Sequence, residues 1–497
     1  MTCFIGVDVG TSGVKAVAVD SRGRVLTART EPLTLRTPRP GWAEQRPEEW
    51  WAASQAAIKG VLRKGRLVGP DVAAVSFSGQ MHSSVFLDAK GKVIRPALLW
   101  CDGRTTEECR EITESVGGEA RLRDLVSNPA LEGFTLPKVL WLRKHEPEAF
   151  ARLAKVVLPK DYVRYRLSGE LATERSDASA TLMYDTANDR WSLPLLDAVG
   201  LDPSLVPDVG GSSEVLGKVT RAAAKLTGLA EGTPLVGGGA DNACGAAGVG
   251  VIGPGDAVAS WGTSGTVLAP TAEPRVDPGL RAHTFCHVAP GTWYVMGVML
   301  TAGAAFAWHR DQLCRDVNRK RDANDLLNQE AAKIPAGADG LTFLPFLQGE
   351  RTPHRDASAR GAFVGLSLAH GRAHMTRAVL EGICFGLRDS LEIVRSLGLP
   401  IESLLLTGGG AKSRFVRRLQ ADVYGLPVVT VNREEGPAFG AALLAGVGVG
   451  AWSDLGAAAA ATLKRRAPEA FRPQAHAAYQ EPYRRYRALY PALRTAR

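Results

Sequence analysis

The tetrapeptide Gly-Thr-Ser-Gly occurs twice in this chain, at residues 10–13 and 262–265, and no other feature constrains the fold as much. Each copy joins two β-rich runs, which are residues 4–9 and 14–19 for the first copy and 257–261 and 266–269 for the second. Apolar and β-branched runs around a short glycine turn predict a β-hairpin. The repeat therefore predicts two domains of related design, each with a glycine hairpin facing one cleft.

The length of the chain also favours two domains. A chain of 497 residues is too long for one compact core. Glycines crowd near residues 245–255, and helical spacing of apolar residues predicts helices over 47–62 and 375–397. We therefore expect an α/β protein with domains 1–249 and 250–451, followed by a helical tail over 452–497 that packs on the second domain.

Composition excludes several classes of protein. The net charge of +9 is spread along the chain, and no basic run alternates with aromatic residues as in a nucleic-acid site. The sequence has no apolar run of membrane-spanning length, and its seven cysteines contain no CxxC pair. We expect a cytoplasmic enzyme with reduced thiols that binds neither nucleic acid nor membrane.

Three glycine turns are candidates for phosphate and nucleotide binding. The chain has no GxxxxGK[ST] motif, so an anion would have to be held by backbone amides of the two repeated turns, with Lys15 adding a charge. The third turn, residues 408–410, follows an apolar strand and precedes a helix, where a flat base such as adenine could lie. Plain hairpins and close strand-helix packing are the alternative explanations.

Two aspartates stand beside these turns. Asp8 lies within an apolar strand just before the first turn, where a buried charge needs a partner such as magnesium. Asp241 follows an apolar run and the glycines 237–239, which predicts a carboxylate on a flexible turn at the end of a strand. A carboxylate within reach of a hydroxyl is what general-base catalysis requires, although either aspartate could instead cap a turn or helix. Together they indicate phosphoryl transfer.

Two polar segments could line a pocket for a polyol. Gln80, Met81 and His82 form a turn between predicted strands, and Trp100, Asp102 and Arg104 end another apolar run. His82 and Trp100 could equally be packing residues.

These segments together resemble a known family. The matching segments are, in order, VDVGTSGVKA, SGQMHSS, LLWCDGRT, LPKDYVRYRLSGE, TERSDASATLMYD, GGGADNACGAAGVG, SWGTSGTV, FLPFLQGERTPH and LTGGGAKSRF. They resemble the landmarks of the FGGY carbohydrate kinases over residues 4–447. The resemblance implies an actin-like, hexokinase-like (ribonuclease H-like) fold whose two domains hold ATP and a sugar in the cleft between them.

The resemblance also assigns roles to residues. It implies that Asp241 is the catalytic base, that Asp8 and Asp241 serve Mg²⁺ and that ATP is the phosphoryl donor. The implied sugar-binding residues are Met81, His82, Asp241, Asn242, Trp100, Asp102 and Arg104. The implied nucleotide-binding residues are Gly10, Thr11, Ser12, Gly13, Lys15, Gly262, Thr263, Ser264, Trp308, Gly409, Gly410, Ala411 and Ser413. Several relatives have an asparagine after the residue that matches Ala411, whereas this chain has Lys412, Ser413 and Arg414.

The resemblance implies D-xylulose as the acceptor, chiefly through Gln80, Met81, His82 and the Asp241-Asn242 pair, and it implies a homodimer. Other FGGY substrates, namely ribulose, glycerol and gluconate, share the phosphate and base motifs and stay open. An actin-like nucleotide-dependent chaperone or a catalytically silent sugar sensor would share the hairpins. The chaperone does not need a polar sugar pocket, and the sensor does not need both aspartates.

Overall fold

The computed structural model describes residues 2–317 and 322–494 and contains two six-stranded mixed sheets. The strands of the first half are β1 (Cys3–Val9), β2 (Gly13–Asp20), β3 (Val25–Pro32), β4 (Glu44–Gln45), β5 (Val72–Gly79), β6 (Val85–Leu87), β7 (Ala97–Leu98), β8 (Lys155–Val157), β9 (Ala172–Glu174), β10 (Tyr184–Asp185), β11 (Arg190–Trp191), β12 (Asp208–Gly210), β13 (Val215–Lys218) and β14 (Pro234–Ala240). The strands of the second half are β15 (Gly255–Trp261), β16 (Gly265–Thr271), β17 (His283–Cys286), β18 (Trp293–Met299), β19 (Thr342–Leu344), β20 (Ala362–Val364), β21 (Ile401–Gly408) and β22 (Val428–Val429).

Helices cover both sheets and form the tail. The helices before residue 250 are α1 (Pro47–Gly65), α2 (Thr106–Ser115), α3 (Glu119–Val126), α4 (Thr135–His145), α5 (Pro147–Phe150), α6 (Pro159–Ser168), α7 (Arg175–Ala178), α8 (Leu193–Ala198), α9 (Arg221–Thr227) and α10 (Asp241–Ala247). Those after it are α11 (Gly303–Trp308), α12 (Ala323–Ala331), α13 (Arg372–Ser396), α14 (Arg414–Tyr424), α15 (Pro437–Gly448), α16 (Leu455–Thr462), α17 (Pro473–Ala478) and α18 (Gln480–Arg494).

Five strands of each sheet share one topology, and the sixth, β13 or β17, lies at opposite edges of the two sheets. In the first, the order is β13-β14-β5-β1-β2-β3; β1 and β2 are antiparallel, and β5 runs parallel to both β1 and β14. In the second, the order is β17-β18-β16-β15-β21-β22, with β15 and β16 antiparallel and β21 parallel to β15 and β22. Both repeated turns are therefore hairpin turns at equivalent places in equivalent sheets. The α/β class and the predicted hairpins are confirmed.

Local sequence explains where the helices form. Helix α1 begins with Pro47, has Glu48 and Glu49 in its first turn, and has Arg63 and Lys64 in its last turn. Proline at the first position and charges of these signs suit the unpaired amides and carbonyls of a helix and its dipole. The predicted helices over 47–62 and 375–397 are confirmed as α1 and α13.

Helices α10 and α15 cross between the two sheets. Helix α10 begins at the end of β14, and α15 follows the second sheet but packs against β1 and β5 of the first. The two helices meet through their backbones, because a β-carbon added at Gly440 would lie only 1.9 Å from the carbonyl oxygen of Cys244. One apolar core runs from Phe4 of the first sheet through both helices to Leu405 of the second.

The tail after residue 452 is only partly helical. Between α16 and α17 the chain is extended and forms bridges from Arg465 to Val431 and from Glu469 to Val428. Tyr479, Tyr483, Tyr486 and Tyr490 are buried in the core behind the second sheet. The predicted division at 1–249, 250–451 and 452–497 stays a prediction.

No helix within the described ranges 2–317 and 322–494 is long and apolar enough to cross a membrane.

Candidate active site

Two aspartates lie at the same edge of the first sheet. Gly79, at the end of β5, is level with Val9 of β1 on one side and with Ala240 of β14 on the other. Asp8 directly precedes Val9, and Asp241 directly follows Ala240. Because neighbouring strands are about 4.8 Å apart, the strands that carry the two carboxylates are only about 10 Å apart.

Asp241 is the first residue of α10 rather than part of a flexible turn, so that expectation was wrong. The glycines before it are buried within β14, where the amides of Gly237 and Gly238 donate to the carbonyls of Glu214 and Ser212. These bonds keep the strand ordered up to Ala240. The carboxylate is therefore presented from a fixed strand-helix junction.

The carboxylate of Asp241 has one bonded and one available oxygen. The backbone amide of Asn242 donates to Oδ1 over 2.8 Å, and its side-chain amide donates to the same atom over 3.0 Å. No described residue donates to Oδ2. Burial first, and then the charge of Asp8, raise the pKa of Asp241 to about 7. A carboxylate with this pKa can accept a proton near neutral pH.

One oxygen of the Asp8 carboxylate, Oδ1, is buried and has no hydrogen-bond partner among the described residues. Burial raises the pKa of Asp8 to about 6, while the nearby Ser78 hydroxyl and the charge of Lys15 oppose the rise. The described residues contain no group of three or more His, Cys, Asp or Glu side chains that could hold a metal alone. The site thus suits Mg²⁺, which takes one or two carboxylates and completes its shell with water and phosphate oxygens.

A cavity of about 790 Å³ connects Asp241 with the third glycine turn. Helix α10 forms one wall through Asp241, Asn242 and Gly245, and the inner face of the second sheet forms another. Residues Gly408, Gly409, Ala411 and Lys412 line its far end. The base candidate and the predicted adenosine turn therefore open into the same space.

The first hairpin turn is tied to the predicted sugar side. The indole N–H of Trp100 donates to Oγ1 of Thr11 over 2.9 Å, and that hydroxyl donates to Oε1 of Gln80 over 3.2 Å. The side chain of Gln45 holds the Thr11 carbonyl over 2.8 Å. The amides of Thr11 and Ser12 have no partner among the described residues, so these amides, not the Thr11 hydroxyl, are available to an anion.

The second hairpin turn is tied to α11. The carbonyl of Gly262 accepts from the amide of Gly303, and that of Thr263 accepts from the amides of Ala302 and Ala304. The amides of Thr263 and Ser264 have no partner in the part of the chain that is described. Each hairpin thus offers two free amides at its tip.

The third glycine turn is fixed by the second hairpin. Gly408 pairs with Trp261 and has a φ of +78°, and a β-carbon at Gly410 would lie 2.6 Å from the indole of Trp261. The hydroxyl of Ser413 accepts from the amide of Val416 and caps α14. Trp308 stacks on Phe343 with ring centroids 6.1 Å apart and does not line the cavity. Roles for Ser413, Gly410 and Trp308 in nucleotide binding stay predictions.

Met81 and His82 form a wall beside Asn242. The side-chain amide of Asn242 lies 3.5 Å from the sulfur of Met81. His82 has a φ of +66°, which is uncommon for a residue other than glycine. Its Nδ1–H donates to the Ala180 carbonyl over 2.6 Å, and burial lowers its pKa to about 3. His82 is therefore neutral and keeps Nε2 as an acceptor.

Asp102 and Arg104 bond mainly to each other. The guanidinium of Arg104 donates to both carboxylate oxygens of Asp102 and lies 2.8 Å from Glu44. It also lies over the ring of Trp42, 3.6 Å from its centroid. Their predicted role in the sugar pocket stays a prediction, because these contacts already satisfy both charges.

Residues 160–177, whose role the sequence did not indicate, support the strand that leads to Asp241. The hydroxyl of Ser176 accepts from the Ala240 amide over 3.0 Å and donates to Glu174. The buried ammonium of Lys160 lies 2.7 Å from Asp161 and 3.5 Å from Glu174. The sequence offered two signals, the charges of this stretch and its likeness to the family segments LPKDYVRYRLSGE and TERSDASATLMYD, but neither assigned these residues a role.

Comparisons with known proteins agree with this arrangement. The N-terminal domain of the FGGY family of carbohydrate kinases matches residues 3–248, and the C-terminal domain matches residues 257–449. The xylulose kinase of Staphylococcus epidermidis is 40% identical over 488 residues, covering 98% of this chain and 96% of that protein.

Solved structures give the same result. The chain superposes on the xylulose kinase of Rhodospirillum rubrum with a TM-score of 0.90 and 32% identity, covering 99% of both chains. It superposes on a gluconate kinase from Lactobacillus acidophilus with a TM-score of 0.92 and 28% identity, covering 99% of this chain and 98% of the other. The two-domain fold expected from the sequence is confirmed.

Proposed function

This chain belongs to the FGGY family of carbohydrate kinases, and from that premise we propose that it phosphorylates D-xylulose with ATP to give D-xylulose 5-phosphate and ADP. The observation that carries the proposal is the cavity that holds Asp241 at one end and the turn of Gly408 and Gly409 at the other. The relatives named xylulose kinase support the choice of sugar.

Asp241 is the general base in this proposal. The two bonds from Asn242 fix Oδ1, so Oδ2 is the atom that receives the proton of the primary hydroxyl as its oxygen attacks the terminal phosphorus in line. The pKa of about 7 makes the carboxylate a stronger base than an ordinary aspartate and still leaves about half of it ionised at neutral pH.

The two hairpins hold the phosphate chain. The free amides of Thr11, Ser12, Thr263 and Ser264 donate to phosphate oxygens, and Lys15 adds a positive charge beside the first turn. Asp8 and Asp241 would hold Mg²⁺, and the ion would supply positive charge to neutralise part of the charge on the phosphates.

Met81, His82 and Trp100 form the sugar wall of the site. The neutral imidazole of His82 accepts a hydrogen bond from a sugar hydroxyl at Nε2. Trp100 connects this wall to the first phosphate turn through Thr11. The expected homodimer stays a prediction.

A coupled assay for ADP release tests the proposal with D-xylulose, ribulose, glycerol and gluconate as acceptors. We expect turnover to depend strongly on D-xylulose. Preference for one of the other acceptors would correct the substrate, and turnover without any sugar would contradict the kinase assignment.

Replacement of the base gives the second test. Asp241→Asn should lower kcat by about 10²–10⁴-fold while ATP binding, followed by calorimetry, changes little. Asp256→Asn is the matched control, because Asp256 pairs with Arg465 at the far end of β15 and should retain full activity. Activity of Asp241→Asn equal to that of the control would refute the role of the base.

A further inference from the structure

Arg351 reaches from the second half of the chain to the sugar wall of the first. It lies in the loop between β19 and β20, far in sequence from residues 81–133. A β-carbon added at Gly133 would lie 2.8 Å from Nη2 of Arg351 and 2.9 Å from the carbonyl oxygen of Trp100. The guanidinium therefore lies against the same wall that carries Trp100.

The guanidinium of Arg351 has no hydrogen-bond or ion-pair partner among the described residues. Among residues 2–317 and 322–494 no carboxylate pairs with it and no group accepts a hydrogen bond from it. The adjacent Glu350 is only 1% exposed and accepts from the amides of Leu300 and Arg351. Burial raises the pKa of Glu350 to about 8, so this carboxyl is mostly protonated at neutral pH and does not balance the charge.

The other basic group at this wall is Lys138, whose pKa burial lowers to about 7. The ammonium of Lys138 is buried and donates to the carbonyls of Phe134, over 2.8 Å, and His82, over 3.4 Å. His82 is neutral. Burial lowers the pKa of Arg351 and the charge of Glu132 opposes this only in part, so a guanidinium without a hydrogen-bond acceptor among the described residues is costly unless a ligand supplies electron-rich atoms. The wall is therefore suited to a ligand with several oxygen acceptors.

A chain of neighbouring residues connects Asp241 with this wall. Asn242, which bonds to Asp241, lies 3.5 Å from Met81, and Met81 is followed by His82. The Arg351 charge lowers the pKa of His82, although less than burial does, so the guanidinium lies near the imidazole as well as near Trp100 and Gly133. A short sugar bound along this wall has one end at Asp241 and its other end at Arg351.

We propose that Arg351 binds the end of the sugar away from the attacking hydroxyl, through the keto oxygen and the hydroxyl on the adjacent carbon. The planar guanidinium presents two parallel N–H donors, which match two oxygens on neighbouring carbons. This inference rests on the proposed function and adds a positioning residue from the second half of the chain. The sugar then bridges both halves of the molecule.

Steady-state kinetics of Arg351→Met test this role. We expect the KM for D-xylulose to rise roughly 10- to 100-fold, as for loss of a charge-assisted hydrogen bond, while kcat and the KM for ATP change less than about twofold. Arg351→Lys keeps the charge but not the paired donors and should give an intermediate KM. If thermal melting shows that Arg351→Met does not fold, the KM of Arg351→Lys for D-xylulose tests the role of Arg351.

Arg355→Met is the matched control in the same loop. Arg355 pairs with the exposed Glu119 over 2.8 Å and also links the two halves of the chain. Its replacement should leave the KM for D-xylulose within about twofold of wild type. An unchanged sugar KM in both Arg351 variants, or an equal rise in Arg355→Met, would overturn the inference.

The two proposals can fail separately. Wild-type turnover of D-xylulose is measured first and tests the proposed function alone. If another sugar of the panel is the true acceptor, the same comparison of Arg351 and Arg355 variants with that sugar still supports or overturns the role of Arg351.

Discussion

The two Gly-Thr-Ser-Gly turns have the same backbone setting but different neighbours. Both join antiparallel strands, and the first strand of each hairpin pairs in parallel with a strand that ends in glycine, Gly79 in the first sheet and Gly408 in the second. Two residues before the first glycine of the turn, however, the first hairpin has Asp8 and the second has Ser260. The repeat thus preserves the backbone that we propose binds phosphate, while the two aspartates proposed to serve the chemistry lie at the first sheet.

The Thr residues of the two turns differ in the same way. Thr11 uses its hydroxyl to connect Trp100 and Gln80, whereas Thr263 uses its carbonyl to hold the start of α11. The first turn is therefore part of the sugar wall, and the second is part of the support for the nucleotide side.

The largest effect is expected when Asp8→Asn is compared with Ser260→Ala. Asp8→Asn removes the charge that suits Mg²⁺ and should lower kcat by about 10²–10³-fold. Ser260→Ala changes the equivalent position of the second hairpin and should lower kcat by less than about threefold. Steady-state kinetics at saturating ATP, with melting temperatures as the check on folding, measure both. Equal losses would show that the two hairpins are chemically equivalent.

The pH dependence of kcat/KM gives the next largest effect. Asp241 accepts a proton only when ionised, so activity should fall about tenfold per pH unit below its raised pKa of about 7. Because the charge of Asp8 contributes to that rise, Asp8→Asn should shift the acidic limb to lower pH. Ser260→Ala should leave it in place. If the acidic limb stays at the same pH in Asp8→Asn, the charge of Asp8 does not raise the pKa of Asp241.

Valine substitutions sharpen the comparison of the two turns. Thr11→Val removes the acceptor of the Trp100 indole and the donor to Gln80, and should raise the KM for D-xylulose by about tenfold. Thr263→Val removes a hydroxyl without a partner among the described residues and should leave this KM within about twofold. Kinetics over a range of sugar concentrations measure both, and a larger effect at Thr263 would reverse the assignment of the turns.

The smallest effect is expected at the glycines that end β21 and β5, Gly408 and Gly79. In Gly408→Ala the new β-carbon would lie 2.3 Å from the Trp261 carbonyl at a φ of +78°, so the nucleotide turn must shift. We expect the KM for ATP to rise roughly threefold to fivefold, with loss of about 1–3 kcal/mol of stability. Gly79→Ala, the equivalent change in the first sheet, should not alter the KM for ATP. A similar rise in both variants would indicate general destabilisation.

Patterns that are local in sequence were predictable. The alternation of apolar residues around each turn predicted β1, β2, β15 and β16, and the spacing over 375–397 predicted α13. Asp241 was predicted as the base because glycines and an apolar run precede it. The expectation of a flexible turn was wrong, because the amides of Gly237 and Gly238 donate to the carbonyls of Glu214 and Ser212 in another segment of the chain, and these bonds order the glycines.

Contacts between distant segments could not be predicted. Nothing in the sequence relates Trp100 to Thr11, or Arg351 to Gly133, because only the folded sheets bring these residues together. The bonds between Asp102 and Arg104 were missed for another reason. A charged pair two residues apart fits either a pocket or a buried ion pair, and Glu44 and Trp42, which favour the ion pair, lie far away in sequence.

The backbone contact between α10 and α15 has a mechanical consequence. Cys244 touches Gly440 three residues after Asp241, which is about 5 Å along a helix with a rise of about 1.5 Å per residue. Any rotation of one sheet against the other about this contact moves the carboxylate along an arc of small radius, while Gly408 and Gly409, across the cavity, travel further. If the proposed roles hold, such a rotation would leave the proton acceptor nearly in place while the turn of Gly408 and Gly409 moves the nucleotide relative to it.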